Sequence, residues 1–263
     1  MSTLRFSTSI SLMFRERPIL ERFAAARAAG FEGVEIQLLA EGAPDEMAAA
    51  ARQAGVEVVL INVGMGDFLA GGAGLSGVPG RESQFLAELD RALQAAQSLR
   101  SRFVHVGPSR VPAGGSREAC LATFEANVGA AVARSADQPV TLLVEPLNTA
   151  DTPDVLLGDV DAAAAWLRER FAGQAWLMFD IYHVARSGKD VLEAYRRNRD
   201  VVRHVQFSDV PGRQEPGAGE LDFPALFRGL EAAGYSGWLG AEYFARRPTA
   251  ETLGWFEPYR KQP

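Results

Sequence analysis

The sequence predicts a single (β/α)8 TIM barrel, read as one α/β domain over residues 1–263. Three observations carry this. Eight short β-rich runs each precede an Ala-, Leu- or Arg-rich helical stretch; the length of 263 residues is close to the ~250 usual for that fold; and no linker, low-complexity tract or composition break divides the chain.

The elements follow in order. LRFSTSI (4–10) is the first strand, and in RPILERFAAARAAG the residues Ile19, Leu20, Phe23 and Ala26 share one helical face, with Gly30 as the stop. GVEIQL (33–38) precedes PDEMAAAARQAG, VEVVLINV (56–63) precedes ESQFLAELDRALQAAQSL, and RFVHVG (102–107) precedes REACLATFEANVGAAVARS. TLLVEPL (141–147) leads to DVDAAAAWLRERF, AWLMFDI (175–181) to KDVLEAYRRN, and VRHVQFSD (202–209) to FPALFRGLEAAG. GWLGAEYF (237–244) is the last strand, with TAETLGWFEPYR read as its helix. A doubly wound open sheet would carry a glycine-rich phosphate turn after the first strand, and STSISLMF is not one. Two long connections, 64–83 and 210–222, follow the third and seventh strands and would emerge at the C-terminal face, where barrel active sites are built.

Composition bounds the function. Hydrophobic residues at 47% and charged residues at 23% describe a soluble globular protein with a substantial core. Lys plus Arg number 27 against 33 Asp plus Glu, a net charge of −6, which offers no electrostatic footprint for nucleic acid or an anionic membrane. The lone Cys120 makes no intramolecular disulfide and fits a reducing compartment. No apolar run approaches the ~20 residues that span a bilayer, and MSTLRFSTSISLMFRERP lacks the layout of a secretory signal. The expectation is a cytoplasmic protein. Trp238, Trp255 and Phe256 have two readings, a subunit contact in a homo-oligomer or burial in the core, and core burial is the default.

Polar residues stand at the ends of separate strands: Asn62, His105, Glu145, Asp180, Gln206 and Glu242. In a barrel those ends converge on one mouth. Carboxylates crowded there repel one another and resist desolvation. A dication with hard oxygen ligands, Mg2+ or Mn2+, relieves both, shared by Glu145, Asp180, Gln206 and Glu242. Each residue alone has a plainer explanation: an ion-paired strand end for either glutamate, a helix cap for Asp180, a loop hydrogen bond for Gln206, and a satisfied barrel-mouth histidine for His105.

VEPLNTADTPDVLL (144–157), MFDIYHV (178–184), GVPGRESQF (77–85) and the long stretch from Arg203 to Phe256 together resemble the hydroxypyruvate isomerase family, within the xylose isomerase-like TIM barrels. The resemblance implies a dication on Glu145, Asp180, Gln206 and Glu242, with Glu145 and Glu242 as proton-transfer groups. It implies His183 as a contact to a substrate oxygen, and it sets Arg213 and Glu215 on a loop near a small hydroxy-carbonyl substrate. Arg213 suits a substrate carboxylate. Departures from the family pattern are Ser9 for the usual Asn, Gly72 and Ala73 for a Glu-Arg pair, Gln214 for a His, and no aromatic-proline pair after the second strand. The implied chemistry is an aldose–ketose type isomerisation of a small hydroxy-carbonyl acid or sugar, hydroxypyruvate to tartronate semialdehyde being the type case, through an enediolate. A ketose 3-epimerase would share the same groups, and a non-catalytic small-ligand binding protein is the reading outside enzymology. A nuclease on a related barrel would need a histidine-rich zinc cluster, and the chain has three histidines.

Overall fold

Eight parallel strands close on themselves in chain order, β1 pairing with both β2 and β8, in a computed structural model that describes residues 4–260. The ends of the chain, 1–3 and 261–263, lie outside the described residues, as does the start of the N-terminal stretch read for a signal. The strands are β1 (Arg5–Ser9), β2 (Gly33–Ile36), β3 (Glu57–Asn62), β4 (Phe103–His105), β5 (Thr141–Val144), β6 (Ala175–Asp180), β7 (Val202–Phe207) and β8 (Trp238–Ala241). Around them lie α1 (Ile19–Ala28), α2 (Pro44–Ala54), α3 (Glu82–Leu99), α4 (Arg117–Ser135), α5 (Val160–Arg170), α6 (Ile181–Arg186), α7 (Val191–Asn198) and α8 (Phe223–Ala232).

The expected strand order holds, while the strands are shorter than their apolar runs. The strand expected over 141–147 stops at Val144, because Glu145 turns into the mouth and Pro146 has no N–H to donate. Ile181, expected to end the sixth strand, instead opens α6, with the Asp180 carboxylate accepting the Tyr182 N–H at 2.9 Å as its cap. The helix expected over 249–260 is replaced by two 3-10 segments, Thr249–Thr252 and Gly254–Tyr259. Gly254 breaks the run and Pro258 sits within the second segment.

Period-two alternation sorts the strand residues into two layers. Val34, Ile36, Ile61, Val104, Leu142, Val144, Leu177, Phe179, Val205, Phe207, Leu239 and Ala241 face the helices as part of the large core. Leu60, Phe103, Leu143, Met178 and Trp238 fill the barrel floor. Trp238 and Phe256 are buried in the core, and half-buried Trp255 packs against it, in line with the default reading. The positions next along the inward face are polar: Glu35, His204, Asn62, His105, Glu145, Asp180, Gln206 and Glu242. Among the described residues no helix is long and apolar enough to cross a membrane.

Candidate active site

Each inward side chain is delivered by a strand end. Glu145 follows β5, Asp180 ends β6, Gln206 lies in β7 and Glu242 follows β8, where its N–H still donates to the Phe207 carbonyl at 3.0 Å. All four are buried, with exposures of 9, 2, 1 and 7%. Free polar atoms of three of them, and of His183, define the site. Glu145 Oε1, Asp180 Oδ2, Gln206 Oε1 and His183 Nε2 are buried without a hydrogen-bond partner. Ligand atoms of Glu145, Asp180 and His183 lie within 4.8 Å of one another. Asp180 caps α6 with Oδ1, and its Oδ2 is left without a hydrogen-bond partner.

Arg213 is the cation that enters this cluster. Its Nη2 donates to Glu242 Oε2 at 2.6 Å and lies 3.5 Å from Asp180 Oδ2. Burial pushes the Glu242 carboxyl up to about 7 against the opposing pull of Arg213, with Asp180 and Glu35 adding to the rise. Burial, then the charges of Glu242 and Asp180, hold Glu145 well above the ordinary carboxylate range, although Arg213 acts in the other direction. Asp180 is raised by burial, less the effects of Arg213 and the Tyr182 N–H. Three carboxylates and one guanidinium therefore leave the mouth short of positive charge, the condition a dication relieves.

His183 has a defined tautomer. Its Nδ1 accepts the backbone N–H of Asn148 at 3.1 Å, and an N–H can only donate, so the neutral ring carries its hydrogen on Nε2. Burial, then Arg213, push its pKa well below the usual histidine value, which keeps it neutral. The unpartnered Nε2–H lies 3.6 Å from Asp180 Oδ2 and 3.9 Å from Glu145 Oε1. His105, held at about 3 by burial, sets its Nε2 3.8 Å from Glu145 Oε2.

Glu215 and Asn62, the remaining residues expected near the substrate, make no hydrogen bond to the carboxylate cluster among the described residues. Glu215 turns to Arg247, Oε1 to Nη2 at 3.2 Å, and is not among the polar partners of the cluster. Asn62 lines a cavity beside the cluster, between the loops after β2 and β3.

Residues that sequence reasoning passed over support the site from beneath and beside it. Glu35, wholly buried on β2, accepts from Ser7 Oγ (2.6 Å), His204 Nε2 (2.9 Å) and Gln206 Nε2 (2.7 Å). Burial alone would raise its pKa, but the charge and hydrogen bond of His204, with those from Ser7 and Gln206, leave it below the ordinary value. Ser9 donates to Gln37 Oε1 at 2.5 Å, and Gln37 reaches Glu35 at 3.4 Å, so the departure at Ser9 belongs to this network. Asp209 gathers five backbone N–H groups, those of Val210, Gly217, Gly219, Glu220 and Leu221, at 2.9–3.1 Å. It thereby folds the loop that carries Arg213 and Gln214, whose carbonyl accepts the Asp209 N–H at 2.9 Å. Gly72 and Ala73 present carbonyls to Arg110, so this part of the third loop is braced through its backbone. A buried acid inside a β run and an Asp at a strand end before Pro-Gly are the signals that mark Glu35 and Asp209.

Three comparisons bear on this arrangement. The xylose isomerase-like TIM barrel profile matches residues 23–259. A 2-oxo-tetronate isomerase of Cupriavidus necator is 38% identical over 255 residues, covering 97% of this chain and 98% of its own. The hydroxypyruvate isomerase of Escherichia coli K12 is 32% identical over 257 residues, covering 98% of this chain and 100% of its own. Among solved structures, one described as an AP endonuclease, family 2, from Brucella melitensis superposes with a TM-score of 0.92 at 37% identity, covering 98% of this chain and 99% of that one.

Proposed function

The chain belongs to the xylose isomerase-like TIM barrel family, and from that premise we propose that it isomerises small hydroxy-keto acids by moving a proton between adjacent carbons through an enediolate. It is an isomerase, as its relatives over nearly the whole chain are. The substrate reading is hydroxypyruvate or a related 2-oxo acid, in a reducing, cytoplasmic setting that the free, buried Cys120 suits.

One observation carries the reading: an acid-rich barrel mouth in which Glu145 Oε1, Asp180 Oδ2 and Gln206 Oε1 are buried oxygens with no partner. Such a donor set fits Mg2+ or Mn2+, held by Glu145, Asp180, Gln206 and Glu242. When bound, the ion supplies positive charge against the enediolate as it forms.

The chain's own groups do the rest. Glu145 and Glu242, approaching from β5 and β8, are the proton carriers, one removing the carbon-bound proton and the same or the other returning it to the neighbouring carbon. His183 Nε2–H donates to a substrate oxygen, its neutral form and fixed tautomer preventing it from competing as an acid. Arg213 takes the substrate carboxylate. Glu215 and Asn62 border the site, and His105 keeps Glu145 in a dry wall.

The test is proton NMR in heavy water with dication-replete protein and hydroxypyruvate or 2-oxo-tetronate. The wild type exchanges the carbon-bound hydrogen and forms product, and Glu145→Gln or Glu242→Gln slows exchange by about 10²-fold or more. Undiminished exchange in both variants removes them from these roles. Binding without any exchange would instead favour a ligand-binding protein, and inversion at C3 of free ketoses an epimerase.

A further inference from the structure

A cavity of about 670 Å3 meets the barrel mouth at Gln37 and Asn62 and runs out between the loops after β2 and β3 and along α3, with Leu39, Ala43, Met65 and Leu69 also on its wall. From it we infer that the substrate is longer than a four-carbon acid: a 3,4-dihydroxy-2-oxo acid whose chain continues beyond C4 as an apolar tail. This inference rests on the isomerase reading above and names the substrate class of the same site.

Four observations point there. The cavity shares Gln37 and Asn62 with the barrel mouth: Asn62 pairs in register with His105, and Gln37 hydrogen-bonds the Glu35 that holds Gln206. Next, Asn62 is 5% exposed and its Oδ1 has no protein hydrogen-bond partner, so it is an acceptor that a ligand donor such as a C4 hydroxyl would satisfy. Third, Leu69 is 66% exposed, one of the large apolar side chains left in water among the described residues. Its segment is not loose. Arg110 Nη1 donates to the Phe68 and Gly72 carbonyls at 2.9 and 2.7 Å, and Asp67 Oδ1 accepts the Gly74 N–H at 2.8 Å. A braced loop thus presents a leucine to the cavity. Fourth, β3 and β7 stand four strands apart in a ring of eight, on opposite sides of the mouth. A substrate whose carboxylate is held by Arg213, after β7, directs its other end toward Asn62, on β3.

The walls select the tail's chemistry. Leu39, Ala43, Met65 and Leu69 offer hydrocarbon on the loop side, Asp45 disfavours a second anion, and on the α3 side Arg91 is already paired with Glu88 at 2.5 Å, with Gln94 and Ser98 farther along the wall. The cavity is partly open to solvent, and its volume is in the size range of small-ligand sites and larger than a three- or four-carbon acid.

The experiment compares 3,4-dihydroxy-2-oxo acids with straight alkyl ends, from four to ten carbons, using the full chain with Mn2+. In the wild type kcat/KM climbs with length by up to about fourfold per added methylene, the factor equivalent to ~0.8 kcal/mol. In Ala43→Trp, which fills the cavity, and in Leu69→Ser that climb flattens, so the long-to-short ratio falls at least tenfold; both positions are exposed and leave the core intact. A length-independent kcat/KM in the wild type, or an unchanged ratio in both variants, overturns the inference while the isomerase reading stands. Should no acid of any length exchange hydrogen, the isomerase reading fails instead. Calorimetric Kd values for the same acids then decide the cavity: tightening with length that is lost in Ala43→Trp supports it, and no tightening overturns it.

Discussion

Gln206 donates through Nε2 to Glu35 Oε2 at 2.7 Å, and its Oε1 is left buried and unpartnered. The carboxylate can only accept, so it fixes which end of the carboxamide enters the barrel mouth: the oxygen, the end a hard cation takes. Glu35→Gln removes that constraint and leaves fewer acceptor sites for Ser7, His204 and Gln206. The expected outcome is a 10- to 100-fold loss of Mn2+ affinity by calorimetry, with a stability loss of about 1–3 kcal/mol in urea. Unchanged Mn2+ affinity in a folded variant would falsify the positioning role.

Gly240 faces the same carboxylate from β8. A Cβ there would stand 2.0 Å from Glu35 Oε1. Gly240→Ala therefore forces Glu35 or the strand to move, at a cost of about 1–3 kcal/mol in the urea midpoint. It is expected to lower Mn2+ affinity as Glu35→Gln does. Wild-type values for both would show that the barrel interior yields more readily than the geometry indicates.

The pH dependence of stability follows from the raised carboxyls. Burial lifts Glu242 to about 7 and Glu145 well above the ordinary range, so the native state holds these protons more tightly than the unfolded chain. Their stabilising contribution is complete below the unfolded value of 4.5 and is lost as pH rises through the native values. Chelator-treated protein should melt at lower temperature at about pH 8.5 than at about pH 7, a window in which unfolded histidine is mostly uncharged. Mn2+ should raise Tm more at the higher pH, because it no longer competes with protons for the carboxylates. A Tm that rises across this window without metal would contradict the burial argument.

Asp209 is the anchor of the loop that brings in Arg213. Replacing it with alanine leaves four backbone N–H groups without their acceptor, some of which water will satisfy, while the Glu220 N–H keeps the Val210 carbonyl at 3.1 Å. The expected loss is about 1–3 kcal/mol in stability, faster cleavage within 210–222 in limited proteolysis, and a higher KM for the acid substrate as Arg213 loses its position. Wild-type cleavage and KM would show that the remaining bonds, the Phe244 N–H to the Arg213 carbonyl, the Asp209 N–H to the Gln214 carbonyl and Tyr182 Oη to the Pro211 carbonyl, hold the loop without the Asp209 carboxylate.

The barrel was readable because each strand repeats the same signal, an apolar run closed by a polar residue. Glu145, Asp180, Gln206 and Glu242 stood out for that reason, each a polar residue following buried neighbours. Glu35 did not, since it interrupts a strand from within, and its partners His204 and Gln206 lie 169 and 171 residues away in sequence. Asn148 and Asp209 were missed on different grounds. Their partners are main-chain groups or a distant ring, Asn148 giving its backbone and side-chain N–H to His183 and the Asp209 carboxylate collecting the N–H groups of a loop, and such partners are not written in residue type. The helix expected over 249–260 failed because apolar spacing at 253, 255 and 256 fits successive 3-10 turns packed on the core as well as it fits an α-helix.

Pairing of β1 with β8 has a bearing on how copies of this chain can meet. A ring of strands has no first or last member, so the sheet exposes no row of free amide and carbonyl groups for a second molecule to extend. Any self-association must therefore be written in the side chains of the outer helices and the rim loops, and substitutions there can alter assembly without touching the hydrogen-bond ladder that holds the catalytic strands in register.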